Sequence, residues 1–416
     1  MNLKSKSRGL MLSLFLFTVL SNGLFAQTPE RIMLNPAEDG TKGVSITWRT
    51  TLEIEKSSVQ YGLAQTGPLS DLAAFRVVDS QTHLDSVTYK EVTKVFRSHR
   101  VRIQDLEAGK KYLYRVGSEG SGWSEWLQID MPSGNPNAPF TFTYFGDPQN
   151  DIFSQWSRVV RQAYKTAPNT EFMLYAGDLV NRGYNDEEWD EWYRAGDFIH
   201  RTVPSIMTPG NHEYTNVVLS PLWNSLFTLP QNGPSGVKEL VGACYYIDYP
   251  AVRIVSIDGE QIDEDPELRL AQLRWLENVL EKNDKKWTIL TLHYPFFSTK
   301  PNRDNPKLRK AFKPVLDKYK VDLVLQGHDH AYGRGMVDAT GPAESGTMYV
   351  VSVSGPKMYD LGDQEWLDKK AANTQLYQVI TIEGERLCYK AYTATGEPFD
   401  SFVLKKSEQG NILLDE

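Results

Sequence analysis

Two stretches decide the fold: WTILTLHYP at residues 287–295 and VDLVLQGHDH at residues 321–330. Each begins with an apolar run that has the length and β-branched content of a buried strand, and each run is followed by histidine. A helical pattern at residues 306–319 separates them. Side chains of residues that directly follow two neighbouring strands can point into one crevice. Because imidazole is the commonest side-chain metal ligand, this crevice is a candidate metal site.

The same arrangement occurs upstream, where three more apolar runs, at residues 140–145, 172–176 and 203–208, each precede a polar residue. In open α/β folds, ligands bind in the crevice at the carboxyl ends of the strands. Carboxylate, amide and imidazole donors together suit zinc, manganese or iron. The candidate ligands at the strand ends are Asp147, Asp178, Asn211, His293, His328 and His330.

Length and composition describe a soluble two-domain protein. The chain has 416 residues, 40% hydrophobic and 24% charged, which is ordinary for a folded protein and invites division into two domains. The formal net charge is −8. A negative balance argues against nucleic acid as a bulk ligand.

The first residues predict an export signal at 1–26. Basic residues precede an apolar run at 10–20, which is short for a membrane-spanning helix. A membrane anchor is the alternative, and no later segment is apolar enough to span a bilayer. We therefore expect a periplasmic or extracellular protein without a membrane span in its mature form.

The chain then divides at a Pro/Asn/Gly-rich linker, residues 135–139. Before it, residues 27–134 show short alternating strands typical of an all-β sandwich, with Trp48 resembling the buried tryptophan of a fibronectin type III domain. After it, residues 140–408 alternate strands and helices as an α/β domain, and 409–416 form a tail. Cys244 and Cys388 could form a disulfide or remain thiols.

The ordered motifs resemble those of a known family. GD at 146–147, GD at 177–178, GNHE at 210–213, LTLH at 290–293 and GHDH at 327–330 look like the five blocks of the calcineurin-like metallophosphoesterases. The N-terminal sandwich and AYGR at 331–334 make the chain most similar to purple acid phosphatases. The resemblance implies a four-layer α/β/β/α catalytic domain.

The resemblance also implies two metal ions, zinc, iron or manganese, that share Asp178. Asp147 and His330 would complete one site. Asn211, His293 and His328 would hold the other metal. His212 would act as general acid toward the leaving group, with Glu213 adjusting its orientation.

Two positions depart from the purple acid phosphatase pattern. Asn181 stands where that family has a tyrosine ligand, so the purple colour and the preference for ferric iron are not expected. Gln149 stands two residues after Asp147, and either amide could donate an oxygen to the metal or support a ligand.

Arg182 could contact phosphate or form a surface ion pair. Tyr332 and Arg334 are candidates for substrate contact at the pocket rim, or structural residues.

These observations predict an exported phosphatase in which a metal-bound hydroxide attacks small phosphate monoesters. One alternative keeps the metal centre but cleaves phosphodiesters such as nucleotides. Another is a surface-binding module on an inactive phosphoesterase fold. The sequence leaves the physiological substrate and the oligomeric state open.

Overall fold

The computed structural model describes residues 29–69, 71–407 and 410–414. The predicted export signal lies outside these ranges. None of the helices within them combines the length and hydropathy that crossing a bilayer requires.

The N-terminal part is a β-sandwich, as predicted. One antiparallel sheet has the order β1-β2-β6-β5, and the other has the order β4-β3-β7-β8 with β9 beside β7. Trp48 and Tyr114 are buried between them because alternate residues of each strand face the partner sheet. The strands are β1 (Glu30–Pro36), β2 (Val44–Thr50), β3 (Ser58–Leu63), β4 (Arg76–Asp79), β5 (Gln81–Tyr89), β6 (Val92–Ile103), β7 (Lys111–Ser118), β8 (Gly122–Trp123) and β9 (Leu127–Asp130).

The C-terminal part is an α/β domain built on a 14-stranded sheet. A separate two-stranded sheet, β13-β14, lies in a loop. The strands are β10 (Phe140–Phe145), β11 (Met173–Ala176), β12 (Ser205–Thr208), β13 (Tyr214–Thr215), β14 (Val218–Leu219), β15 (Tyr245–Asp248), β16 (Val252–Ser256), β17 (Trp287–Leu292), β18 (Leu323–Gln326), β19 (Tyr332–Val337), β20 (Ser345–Val351), β21 (Lys369–Ala371), β22 (Leu376–Glu383), β23 (Arg386–Thr393), β24 (Pro398–Ser407) and β25 (Gly410–Leu414).

Helices cover the outer faces of this sheet. They are α1 (Ser157–Thr166), α2 (Asp186–Gly196), α3 (Phe198–Thr202), α4 (Pro221–Leu226), α5 (Gly259–Glu264), α6 (Pro266–Glu281) and α7 (Pro306–Lys318). Asn185 and Asp265 cap α2 and α6 by accepting backbone N–H groups. Helices α2 and α3 are separate because Asp197 between them has a φ of 47°, which lies outside the helical region.

The sheet has two parallel halves that face each other. Strands β10, β11 and β12 form one, and β16, β17, β18 and β20 form the other. Side chains alternate along β17, so Ile289 joins the core between the halves whereas Leu290 packs under the helices. This confirms the α/β architecture. Parallel strands with both faces covered are apolar throughout, and the sequence therefore predicts them as continuous apolar runs.

The C-terminal strands join both halves of the sheet, because β20 pairs with β18 while β22 pairs with β10. These pairings link distant segments, which local patterns do not encode. The expectation of a tail at residues 409–416 was wrong, because residues 410–414 form β25, which pairs with its neighbour β24 and with β20. Cys244 and Cys388 are free thiols.

An ion cluster ties the two domains together near the start of α2. The buried carboxylate of Asp186 accepts hydrogen bonds from Arg31 at 2.6 Å and Arg49 at 2.7 Å, with Lys94 at 3.4 Å. Burial alone would raise the pKa of Asp186, but the two guanidinium groups lower it to about 2. The sandwich therefore holds the segment that follows the strand end at Asp178.

Candidate metal centre

The first group of donor atoms gathers at the ends of β11, β12, β17 and β18. His293 Nε2 lies 3.1 Å from Asp178 Oδ2 and 3.2 Å from His328 Nδ1. Asn211 Oδ1 lies 2.9 Å from His328 Nδ1 and 3.2 Å from His293 Nε2. Asp178, His293 and His328 offer ligand atoms that lie within 4.8 Å of one another, close enough to share a cation. The structure thus brings together all four predicted ligands of one metal.

A second group shares Asp178 with the first. Asp147, Asp178 and His330 offer ligand atoms within 4.8 Å of one another, and the two carboxylates and the imidazole are buried. Gln149 lies among them, its amide nitrogen 2.8 Å from Asp178 Oδ2 and 3.2 Å from His330 Nε2. Its buried amide oxygen has no hydrogen-bond partner within the described part of the chain. Rotating the amide by half a turn would exchange these two atoms and present the oxygen to the group.

Backbone carbonyls fix the protonation of two of the histidines. His293 Nδ1 lies 2.8 Å from the carbonyl oxygen of Ala176, and His330 Nδ1 lies 2.9 Å from that of Lys357. A carbonyl oxygen only accepts, so each Nδ1 carries the proton and donates it. The Nε2 lone pairs consequently point into the centre, which is the arrangement that metal-binding histidines use.

The backbone at the ligands is strained. Asp147, Asp178 and His328 have φ values of 45°, 51° and 72°. These values lie in the left-handed region, which residues other than glycine rarely adopt. Such strain costs about 1–3 kcal/mol per residue and clusters at functional sites. The glycines of the motifs are needed for close approach: a Cβ on Gly210 would lie 2.3 Å from Asp178 Oδ1, and one on Gly327 2.5 Å from Asp147 Oδ2.

Charges within the centre favour a bound cation. Burial would raise the pKa of Asp178, but His293 holds it well below its ordinary value. Burial would conversely lower the pKa of His293, and Asp178 raises it to about 10. For Asp147, burial and the neighbouring Asp178 raise the pKa well above the ordinary value. The two buried carboxylates therefore attract positive charge, and a metal ion would supply that charge in place of the second proton of His293.

Glu213 supports the centre in a way the sequence did not reveal. Its fully buried carboxylate accepts backbone N–H groups from Gly210 at 2.7 Å, Leu179 at 2.9 Å and Asp178 at 3.0 Å. It thus ties together the two loops that carry ligands. The Glu213 carboxylate accepts these backbone N–H groups and not a donor of the His212 side chain, whose Nδ1 donates to Asn181 instead, so that an influence of Glu213 on the orientation of His212 stays a prediction.

His212 lies beside the centre but belongs to neither donor group. Its Nδ1 donates to the carbonyl oxygen of Asn181 at 2.6 Å, and its Nε2 lies 3.9 Å from Asp178 Oδ2. A quarter of its side chain is exposed, whereas Asp178, His293 and His330 are buried. The backbone N–H of His212 donates to Asp178 Oδ1 at 2.9 Å, so the shared carboxylate also positions this histidine.

The remaining candidates lie further out. Arg182 is half exposed and forms an ion pair with Glu188 at 2.9 Å. Tyr332 and Arg334 are fully buried and both donate to Asp400, each at 2.7 Å. Their burial against a strand of the sheet fits the structural alternative for these two residues.

Comparison with known proteins agrees with the two-domain fold. Residues 140–332 match the family model for calcineurin-like phosphoesterases, and residues 29–131 match the N-terminal domain of purple acid phosphatases. A purple acid phosphatase from yellow lupin seeds superposes with a TM-score of 0.77 at 17% identity, covering 92% of this chain and 75% of that one. PhoD superposes with a TM-score of 0.68 at 13% identity, covering 94% and 93%.

Relatives of low sequence identity include several phosphatases. Fe(3+)-Zn(2+) purple acid phosphatase 12 of Arabidopsis thaliana is 27% identical over 74% of this chain and 65% of its own length. Phosphoenolpyruvate phosphatase of Allium cepa is 25% identical over 84% and 73%. Acid phosphatase type 7 of Homo sapiens is 27% identical over 76% and 72%. Residues 140–332 thus form a calcineurin-like phosphoesterase domain, and residues 29–131 form a domain like the N-terminal domain of purple acid phosphatases.

Proposed function

We propose that the protein is an exported phosphatase that hydrolyses phosphate monoesters with two bound metal ions. The observation that carries the proposal is the pair of donor groups that share Asp178, with His212 beside both and a member of neither. A shared carboxylate is the arrangement that two-metal hydrolases use. The free imidazole supplies the group that the leaving oxygen needs.

The donor set fits two divalent ions. Asp178, Asn211, His293 and His328 would hold one. Asp147, Asp178 and His330 would hold the other, and the orphaned amide oxygen of Gln149 would complete it. When bound, the two ions would neutralise the charge of the phosphate and lower the pKa of a coordinated water to about 7.

Other residues of the protein position the ligands and the general acid. Glu213 holds the two ligand loops in register, so the donor atoms are in place before substrate arrives. The carbonyl of Asn181 orients His212 so that Nε2 faces the centre. From there the imidazolium donates its Nε2 proton to the departing alkoxide, which would otherwise leave as a strong base.

We infer that the Asp147 site prefers a divalent ion to ferric iron. A tyrosinate ligand is the feature that would favour ferric iron, and Asn181 stands at that position. Gln149 supplies a neutral oxygen instead of an anionic one. Replacing Gln149 with Ala should weaken zinc binding at one of the two sites by about 10-fold or more, whereas Gln149→Glu should retain it. Equal zinc affinity in the native protein and Gln149→Ala would show that the amide is not a ligand.

The function is tested with a pair of synthetic esters. Metal-stripped protein reloaded with zinc, manganese or iron is assayed on an aryl phosphate monoester and on the matching diester. We expect metal-restored turnover of the monoester at a kcat/KM at least 10-fold above that of the diester. A preference for the diester would replace the proposal with phosphodiesterase activity. Absence of turnover on both would favour the binding-module alternative.

The export proposal rests on the residues at 1–26 and has its own test. Protein recovered from a secretion-competent host should lack these residues when its N-terminus is sequenced. Retention of the segment in the recovered protein would favour the membrane anchor.

A further inference from the structure

Asp329 lies between two of the candidate metal ligands, His328 and His330, and belongs to neither donor group. Its carboxylate is fully buried and, within the described part of the chain, accepts hydrogen bonds from a single segment, residues 298–303. We call this the anchor segment. The donors are the Ser298 hydroxyl at 2.6 Å, the Thr299 N–H at 2.7 Å, the Thr299 hydroxyl and the Lys300 N–H at 3.3 Å each, and the Arg303 guanidinium.

The turn that carries the two histidines, residues 327–331, is strained. The N–H of Asp329 donates to the Gly327 carbonyl at 2.9 Å, and the N–H of Ala331 donates to the Asp329 carbonyl at 2.7 Å. Hydrogen bonds between residues two apart define γ-turns, and the φ of 72° at His328 is that of the rare, strained form. Such a conformation persists only where the surrounding structure enforces it. This ligand turn therefore needs support from outside.

The anchor segment is itself fixed to another part of the domain. The N–H of Gly362 donates to the Thr299 carbonyl at 2.6 Å, and the indole N–H of Trp366 donates to the Ser298 carbonyl at 3.0 Å. Ser298 and Thr299 are both buried. Gly362 and Trp366 belong to neither donor group, so this support does not depend on the metal ligands. The Asp329 carboxylate therefore joins the ligand turn to a fixed part of the fold.

We propose that Asp329 is a positioning residue that holds the ligand turn in the conformation that metal binding requires. His328 belongs to one donor group and His330 to the other. One carboxylate that binds neither ion therefore sets the affinity of both metal sites. Ligands that are already in place lose little conformational freedom when an ion binds. The inference rests on the two-metal centre of the proposed function and assigns a residue outside the two donor groups.

The test measures zinc affinity and does not depend on catalysis. Zinc is titrated into the metal-free full chain in competition with a chromophoric chelator. Asp329→Ala removes every acceptor that faces the anchor segment and should weaken zinc binding at both sites by about 10- to 100-fold, the usual effect of losing a group that orients a ligand. Asp329→Asn keeps an oxygen that can accept from Ser298 and Thr299 and loses the charge that pairs with Arg303. Its loss of affinity should therefore be smaller than that of Asp329→Ala.

Asp322→Ala is the matched control for a general loss of stability. Asp322 is a fully buried carboxylate directly before β18, the strand that leads to His328, and it accepts the Thr288 N–H at 2.8 Å and the Asn411 amide at 2.7 Å. Its removal should destabilise the metal-free protein in urea but change zinc affinity at either site by less than about 3-fold. Hydrogen exchange of peptides covering residues 327–331 should accelerate in metal-free Asp329→Ala and not in Asp322→Ala.

The outcomes separate this inference from the proposed function. Native zinc affinity in Asp329→Ala, a loss confined to one site, or an equal loss in Asp322→Ala would overturn the positioning role. If Asp329→Ala does not fold, Asp329→Asn decides the question, because native affinity at both of its sites would also overturn the role. Native protein that binds fewer than two zinc ions would instead overturn the two-metal centre itself.

Discussion

Replacing His212 with Ala removes an imidazole that faces the centre without belonging to a donor group. Its Nε2 lies 3.9 Å from the shared carboxylate of Asp178, which leaves it free to reach a leaving oxygen. The ligand atoms of the two groups do not include His212. We therefore expect His212→Ala to retain both metal ions and to lose catalysis.

The size of the loss depends on the leaving group. A lost general acid typically lowers the rate by about 10² to 10⁴, or about 3–5.5 kcal/mol of barrier. The full loss applies to alkyl phosphates, whose alkoxide departs as a strong base. Aryl phosphates bearing electron-withdrawing groups depart as stable anions and need little protonation. For these esters His212→Ala should lower kcat by less than about 10-fold.

The assay measures kcat for a series of phosphate esters with leaving groups of rising basicity, alongside metal content. His83→Ala, which removes an exposed histidine from the N-terminal domain, is the matched control. The dependence of rate on leaving-group basicity should steepen in His212→Ala and stay unchanged in the control. Loss of metal, or a uniform loss across the series, would refute the general-acid role.

Substitutions at three further positions test the supporting structure. Glu213→Ala should destabilise the protein to urea by about 3–6 kcal/mol, because three buried N–H groups lose their acceptor, and Glu213→Gln by about half as much. The lowered pKa of Asp186 stabilises the folded state above pH 4, and this contribution disappears as pH falls toward 2. Asp186→Asn should therefore cost about 1–2 kcal/mol at pH 7, after discounting for screening, and less at pH 2.5; a cost independent of pH would exclude the ion cluster. Asn181→Tyr loaded with ferric iron should gain a visible absorption band that the native protein lacks, and absence of the band would show that residue 181 does not reach the metal.

The sequence predicted the site better than it predicted the sheet. Asp178 and His293 follow apolar strands that are buried on both faces. Such strands can be recognised from their own sequence, without knowledge of the strands they pair with. The motif order then implied that the ends of these strands converge. Pairing of β20 with β18 and of β22 with β10 depends on contacts between segments far apart in the chain. The local alternation of apolar and polar residues does not predict such contacts.

Support for the ligands was also hidden from sequence reasoning. Glu213 was visible as the last residue of a motif, but its role depends on three backbone N–H groups that only the folded loops bring within reach. Tyr359 and Lys357 belong to no recognisable motif, and they reach the centre because a backbone segment passes beside His330. Interactions with main-chain atoms leave no residue pattern, since any residue supplies the same amide or carbonyl.

The most direct measurement is the number of metal ions per chain. Native protein, His328→Ala, His330→Ala and Asp178→Asn are dialysed against zinc and analysed by elemental mass spectrometry, with circular dichroism to confirm folding. The account predicts two ions in the native protein, one in each histidine variant and none in Asp178→Asn, because that carboxylate belongs to both donor groups. A single ion in the native protein, or two ions retained in folded Asp178→Asn, would contradict a centre built on a shared carboxylate.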